Sequence, residues 1–294
     1  MRFTGCMGNR PLEITDLLWS LNIHGQRVPV VKDEVLEQLL NRGQRRAAAI
    51  VATIPAIDGY LDLNYVDRLG LRIHCELQRL SEELQMGRRV TELLVASVRR
   101  LQESGPGPIR IVDIGCGLGY VIRSMAARAA FDEEVELVGV DLNPLLIHEA
   151  RLLAAHEGLR CHFVHGDALR PGVAIDDGPR TIVISTGLLH HLNESDLVAF
   201  FAGQADLGVA AFAHWDISPC FLSTLGAWVF HQARMREPVS RHDGVLSARR
   251  AHPAAVLESA ARSGAPAYAC EVREGSRWHP RALDVLRPVV GTRS

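Results

Sequence analysis

Apolar residues recur at three- and four-residue intervals along two stretches of the first hundred positions. "EVLEQLLNRGQRRAAAIVATI" (34–54) shows the spacing, and "HCELQRLSEELQMGRRVTELLVASVRRLQ" (74–102) shows it more strongly. This spacing lays one apolar stripe along a helix. Leu77, Leu80, Leu84, Val90, Leu93, Leu94, Val98 and Leu101 make the expected core-facing stripe, with a break or kink at Gly87. "IDGYLDLN" (57–64) is turn-rich and interrupts the helices. Residues 1–104 are expected to form a helical cap or lid.

"ESGPGP" (103–108) is a breaker, and the pattern changes after it. Near-continuous apolar runs now alternate with helical patterns. Strands are predicted at 109–115, 135–141, 160–167, 180–187 and 207–216. The helical segments between them are "YVIRSMAARAA", "PLLIHEARLLAAHEG" and "ESDLVAFFAGQA". Alternation of this kind predicts a parallel sheet covered on both faces. "APAYACEVRE" and "ALDVLRPVVG" supply two further strands, an antiparallel pair at the sheet edge. The expected architecture is α/β, a doubly wound, mostly parallel seven-stranded sheet over residues 105–294. A helical insertion at about 220–244 replaces a simple strand-to-strand link.

Composition narrows the function classes. The chain has 294 residues, 47% hydrophobic and 22% charged, with formal net charge -2, so a sizeable core is available. With no charge block and only 5% aromatic residues, nucleic acid and a membrane surface are disfavoured as partners. The six cysteines (Cys6, Cys75, Cys116, Cys161, Cys220 and Cys270) are scattered and form no C-x-x-C pair. Free thiols in a cytoplasmic protein are expected, and no metal centre. The start has no apolar h-region, and no apolar run approaches the ~18 residues a membrane span needs.

The candidate chemistry begins at "IVDIGCGLGY" (111–120), where Gly115, Gly117 and Gly119 follow a buried strand. Glycine permits positive φ and lets a ligand touch the main chain, and the following helix points its N–H groups at the same place. A dinucleotide dehydrogenase favours G-x-G-x-x-G; here the third glycine comes one residue early. Acids stand at successive strand ends: Asp113, Asp141 in "GVDLNP" and Asp167 in "HGDAL". An acid at the second strand end accepts hydrogen bonds from two ribose hydroxyls.

"VDIGCGLGY", "GVDLNP", "HGDAL" and "ISTGLLHHL" together resemble the class I S-adenosylmethionine-dependent methyltransferases, over residues 109 to about 216. The resemblance implies a Rossmann-like methyltransferase fold and S-adenosylmethionine as cofactor, with S-adenosylhomocysteine as product. By it, Asp113 approaches the methionine ammonium, and the backbone of Gly115, Cys116 and Gly117 lines the cofactor. Asp141 holds the ribose, Leu142 packs on the adenine, and Asp167 with the Ala168 N–H reads the adenine edge. Ser185 and Thr186 lie near the sulfonium end.

His190 and His191 follow the fourth strand and are the candidate bases for deprotonating an acceptor. The alternative is that they only pack, with Asn193 capping the next helix. In "AHWDISP" (213–219), alternation puts Trp215 on the opposite face from His214 and Asp216. Trp215 is a candidate for contact with the acceptor, or a core residue. Trp228, His231 and Met235 share one helix face that either roofs an acceptor pocket or packs in a core. Arg234, Arg236, Arg241 and His242 with Asp243 form a polar run for an anionic group, or a solvated surface. The expected function is methyl transfer to a small organic acceptor at oxygen, nitrogen or carbon, in a biosynthetic pathway. A homodimer stays open. The rivals are a non-catalytic or cyclase-type protein on the same fold, and a nicotinamide-dependent oxidoreductase.

Overall fold

The computed structural model describes residues 11–22, 26–167, 172, 175, 178–219, 221–273 and 285–293, leaving aside the side chains of 221–223. In chain order the elements begin with β1 (Ser20–Leu21), β2 (Arg27–Val28), α1 (Lys32–Asn41) and α2 (Arg45–Ala52). A tiny hairpin follows, β3 (Ala56–Ile57) and β4 (Tyr60–Leu61), then α3 (Leu63–Glu83) and α4 (Met86–Glu103). The alternating part is β5 (Ile109–Ile114), α5 (Tyr120–Ala127), β6 (Val135–Asp141), α6 (Pro144–His156) and β7 (His162–His165). It continues with β8 (Arg180–Thr186), a 3-10 turn at Leu189–His191, α7 (Glu194–Asp206) and β9 (Ala211–Ile217). The chain ends with α8 (Phe221–Arg234), α9 (Pro238–Arg250), α10 (Ala254–Gly264), β10 (Tyr268–Val272) and β11 (Leu286–Arg293).

Contacts divide the chain into two units, one of Met1–Glu76 with Pro219–Ala251 and the other of Leu77–Ser218 with His252–Ser294. The sequence expectation placed the boundary at the 103–108 breaker. It lies earlier because Met86, Val90, Leu94 and Val98 of α4 pack into the core of the sheet. The helical insertion is two helices, α8 and α9, and belongs to the first unit.

The second unit holds a seven-stranded sheet in the order β10-β11-β9-β8-β5-β6-β7. The five strands β9-β8-β5-β6-β7 pair in parallel, and β11 and β10 add an antiparallel edge. The chain runs β5, β6, β7 to one side and then crosses to β8 and β9 on the other. The switch point therefore lies between β5 and β8, where open α/β sheets form a crevice. Both faces are covered. Ile111, Ile184 and Trp215 meet α4, α5 and α6 on one side; Val112, Val183 and Phe212 meet α7 and α10 on the other.

In the first unit, Leu12, Ile14, Val35, Leu39, Val51, Leu69, Ile73 and Val239 share a separate core. Buried polar side chains tie its segments together. Asp243 accepts from the Ile14 and Thr15 N–H groups at 3.0 and 2.8 Å and from the Thr15 hydroxyl at 2.9 Å. Glu76 accepts from the Arg236 and Glu237 N–H groups at 2.5 and 3.2 Å, capping the start of α9.

Two local expectations shift. The helix break falls at Gln85, with left-handed φ of 54°, and not at Gly87. Gly87 lies in the first turn of α4 for a packing reason: a Cβ there would stand 2.3 Å from the Ser124 hydroxyl. Leu77 leaves the expected stripe and is 39% exposed, while Val90, Leu94 and Val98 are buried.

Candidate active site

The glycine turn at the end of β5 is built as the sequence suggested, with an internal reason added. Gly115, Gly117 and Gly119 all have positive φ, at 71°, 55° and 72°. A Cβ on Gly119 would stand 2.2 Å from the Phe163 ring, and one on Gly139 would stand 2.6 Å from it. Phe163, which sequence reasoning missed, is the floor on which the turn rests. The Gly115 and Cys116 N–H groups both donate to the Val140 carbonyl, at 2.8 and 3.0 Å, which fixes the turn against β6. The Cys116 side chain packs inward beside the core. Burial, then the charges of Asp141 and Asp113, push its thiol well above the usual range. Only its backbone remains for lining a crevice.

Asp141 ends β6, half-buried. One of its oxygens accepts from the Gly117 N–H at 2.9 Å and the other from the Asn143 N–H at 2.8 Å. These bonds hold the carboxylate against the glycine turn. Asn143 also caps α6 through the Leu145 N–H, and Pro144 supplies a first helical residue that needs no donor partner. The Leu142 carbonyl accepts from the His165 ring at 2.9 Å, linking the ends of β6 and β7. Asp167 is half-buried two residues beyond β7. Ala168 lies outside the described residues.

Asp113 is the anomaly of the site. It is 1% exposed, and neither carboxylate oxygen has a hydrogen-bond partner among the described residues. Burial, and secondarily the charge of Asp141, push its pKa up to about 8. A buried carboxyl without partners is costly unless a cation or a donor arrives. The ammonium group of a cofactor would be such a cation.

The turn after β8 carries the two histidines. His190 is buried and donates its backbone N–H to Asp216 at 2.7 Å, and its Nδ1 lies 2.8 Å from the other Asp216 oxygen. Burial acts to raise the Asp216 pKa, but the His190 imidazole and hydrogen bonds from His190 and the Ile217 N–H outweigh it. The carboxyl is held below the usual range. His191 is half-buried, its ring centroid 4.3 Å from that of His190. The expected cap forms: Asn193 accepts from the Asp196 N–H at 2.9 Å.

Other expectations resolve toward packing. The Ser185 hydroxyl lies 2.9 Å from His214 Nδ1, and His214 Nε2 lies 3.0 Å from Gln204 Oε1, all in the interior. The Gln204 oxygen only accepts, so Nε2 carries the proton and Nδ1 accepts from Ser185. Burial lowers the His214 pKa to about 3, so the ring stays neutral. Ser185 therefore does not present its hydroxyl to a crevice; Thr186, at the end of β8, is half-buried. Trp215 is buried in the core on the face opposite His214, the packing alternative. Trp228 is 50% exposed while His231 and Met235 are buried, so the three do not act as one face. His231 is held by the Ser240 carbonyl at 3.0 Å, and Asp243 and Arg241 are engaged in internal bonds, so the polar run is largely structural.

Residues 111–207 match the family model described as a methyltransferase domain. The chain carries a class I, S-adenosylmethionine-dependent methyltransferase domain. The methyltransferase shares its fold with an O-methyltransferase family protein from Burkholderia thailandensis. The identity is 14% over 90% of this chain and 68% of that one, with a TM-score of 0.54. A magnesium protoporphyrin IX methyltransferase from Synechocystis PCC 6803 aligns at 18% identity over 90% and 99% of the two chains, with a TM-score of 0.46. A search of the curated proteins finds no match. S-adenosylmethionine is the methyl donor of this methyltransferase. Among the described residues no helix is long and apolar enough to cross a membrane, and Cys75, Cys116, Cys161 and Cys270 are free.

Proposed function

We propose that the methyltransferase moves the donor's methyl group to a nucleophilic atom of a small organic acceptor in a biosynthetic reaction. The observation that carries the reading is Asp113, a buried carboxyl at the β5–β8 switch point whose two oxygens have no partner among the described residues. It suits the ammonium of the donor's methionine part. Asp141 suits the ribose hydroxyls, Leu142 the adenine ring, and Asp167 with Ala168 the adenine edge. The backbone of Gly115 to Gly117 and the side chain of Thr186 line the path toward the reacting end.

The donor supplies a methyl group already activated by the positive sulfur. The chain's own work is alignment of the nucleophile and exclusion of water. An oxygen or acidic-carbon acceptor also needs a proton removed, and His190 and His191 stand where that proton leaves. The Burkholderia protein's O-methyltransferase family name makes oxygen acceptors the first to test. The near-neutral charge balance supports a small acceptor over nucleic acid.

Calorimetry against S-adenosylhomocysteine and NAD tests the donor site. Tight binding of the first alone supports the reading, and preference for NAD overturns it. Incubation with methyl-labelled donor and fractionated small-molecule extract tests the transfer. Label in a low-mass product is expected; donor binding with no labelled product from any fraction points to a non-catalytic role.

A further inference from the structure

We infer that Asp216 is a positioning residue that makes His190 a proton acceptor at the reacting end of the donor. The inference deepens the proposed methyl transfer and rests on it. Asp216 sits near the end of β9 and grips residue 190 twice, through the backbone N–H at 2.7 Å and through Nδ1 at 2.8 Å. The Ile217 N–H, at 2.6 Å, holds the same carboxylate in place. One grip fixes the turn and the other fixes the ring.

The tautomer follows from the acceptor. An ionised carboxylate only accepts, so Nδ1 carries the proton, and the neutral ring presents its lone pair on Nε2. The turn that carries the ring also meets the donor crevice. A Cβ on Gly115 would touch the Leu188 side chain at 3.4 Å, and one on Gly187 would lie 4.0 Å from His190 Cε1. The Gly187 N–H is tied to the Trp215 carbonyl at 2.8 Å, so β9 anchors both ends of the 187–190 segment. Charged and titratable groups near the ring include Asp216 on β9 and His191 on the same turn, and Arg287 on β11 stands opposite Asp216 in register.

In the transfer, Nε2 takes the acceptor's proton as the acceptor atom bonds to the methyl carbon. The carbon–sulfur bond breaks with its electron pair staying on sulfur. The imidazolium so formed lies against the Asp216 carboxylate and later returns the proton to water. Asp216 holds no proton in the cycle; it sets the ring's orientation and supports its charge.

The test is nitrogen NMR of the full chain labelled in histidine, with S-adenosylhomocysteine or S-adenosylmethionine bound. In the wild type the neutral His190 ring is expected as the Nδ1–H tautomer. Its Nε2 resonance is expected to differ between the sulfonium donor and the neutral product, because the donor adds a positive charge near Nε2. Asp216→Asn is expected to reduce the Nδ1–H share of the ring in both complexes, and Asp216→Glu to restore most of it. The comparison of the two ligands needs no variant, so misfolding of Asp216→Asn leaves it intact. An Nε2–H tautomer, or the same Nε2 resonance with both ligands, overturns the inference. If calorimetry still shows both ligands bound, that outcome leaves the methyltransferase reading standing. Failure of both ligands to bind overturns the two together.

Discussion

Gly119 lies directly on the Phe163 ring, so close that a Cβ would stand 2.2 Å from the ring's Cε1. The third glycine of the turn is thus required by the floor beneath it as well as by its φ of 72°. Gly119→Ala is expected to destabilise the protein by about 1–3 kcal/mol, from left-handed strain and overpacking together. Trimming the floor with Phe163→Leu in the same chain should recover the overpacking part only. Thermal melts of the single and double variants check this; full recovery would mean the strained backbone contributes nothing.

Asp113 makes the donor-free protein sensitive to alkali. Its folded pKa of about 8 stands above the ordinary 3.8. Between those values the native state keeps a proton that the unfolded state has lost. Stability therefore falls as pH rises through this window, and the penalty is complete above about 8. Asp113→Asn is expected to raise the melting point of the donor-free protein at pH 8, with the gain vanishing near pH 4. The same variant should weaken S-adenosylhomocysteine binding about tenfold or more, through loss of the charge-assisted contact. Unchanged affinity would remove Asp113 from the donor site.

Asp141 links two tasks, the N–H groups of Gly117 and Asn143 and the proposed ribose contact. Asp141→Ala is expected to lower donor affinity by about one to two decades. Calorimetry gives the affinity and a melt gives the stability. A melting point that drops while affinity holds would assign the residue to the turn alone.

His214 predicts a separate acid lability. Its folded pKa of about 3 lies below the ordinary 6.5. Between those values the unfolded state gains a proton that the native ring refuses, so stability falls as pH drops from 6.5 toward 3. His214→Asn is expected to flatten that part of the stability–pH curve, even at some cost at neutral pH from imperfect pairing of Ser185 and Gln204. Melts from pH 7 to 4 check the slope; a curve as steep as the wild type would place the lability elsewhere.

The strands of the alternating half were legible because β5, β6, β8 and β9 are buried on both faces and read as near-continuous apolar runs. The edge pair β10 and β11 was legible from shorter apolar stretches. The glycine turn and the acids at 113, 141 and 167 were legible because strand ends and turns leave local marks. The inward turn of Ser185 toward His214 was not legible, since that contact joins two strands and α7 through the layer. Asp216 was noticed at the end of its strand, but no spacing rule joins it to a histidine 26 positions earlier.

Sequence by itself determined the elements, their alternation and the chemistry available at the strand ends, because periodicity and turn residues act over a few positions. Tertiary structure alone decided which polar side chains are consumed inside and which stay unmatched. Ser185, His214 and Gln204 satisfy one another across the layer, whereas both oxygens of Asp113 meet no donor among the described residues. Burial and hydrogen bonding are settled between segments far apart in the chain, and those contacts exist only once the sheet has formed.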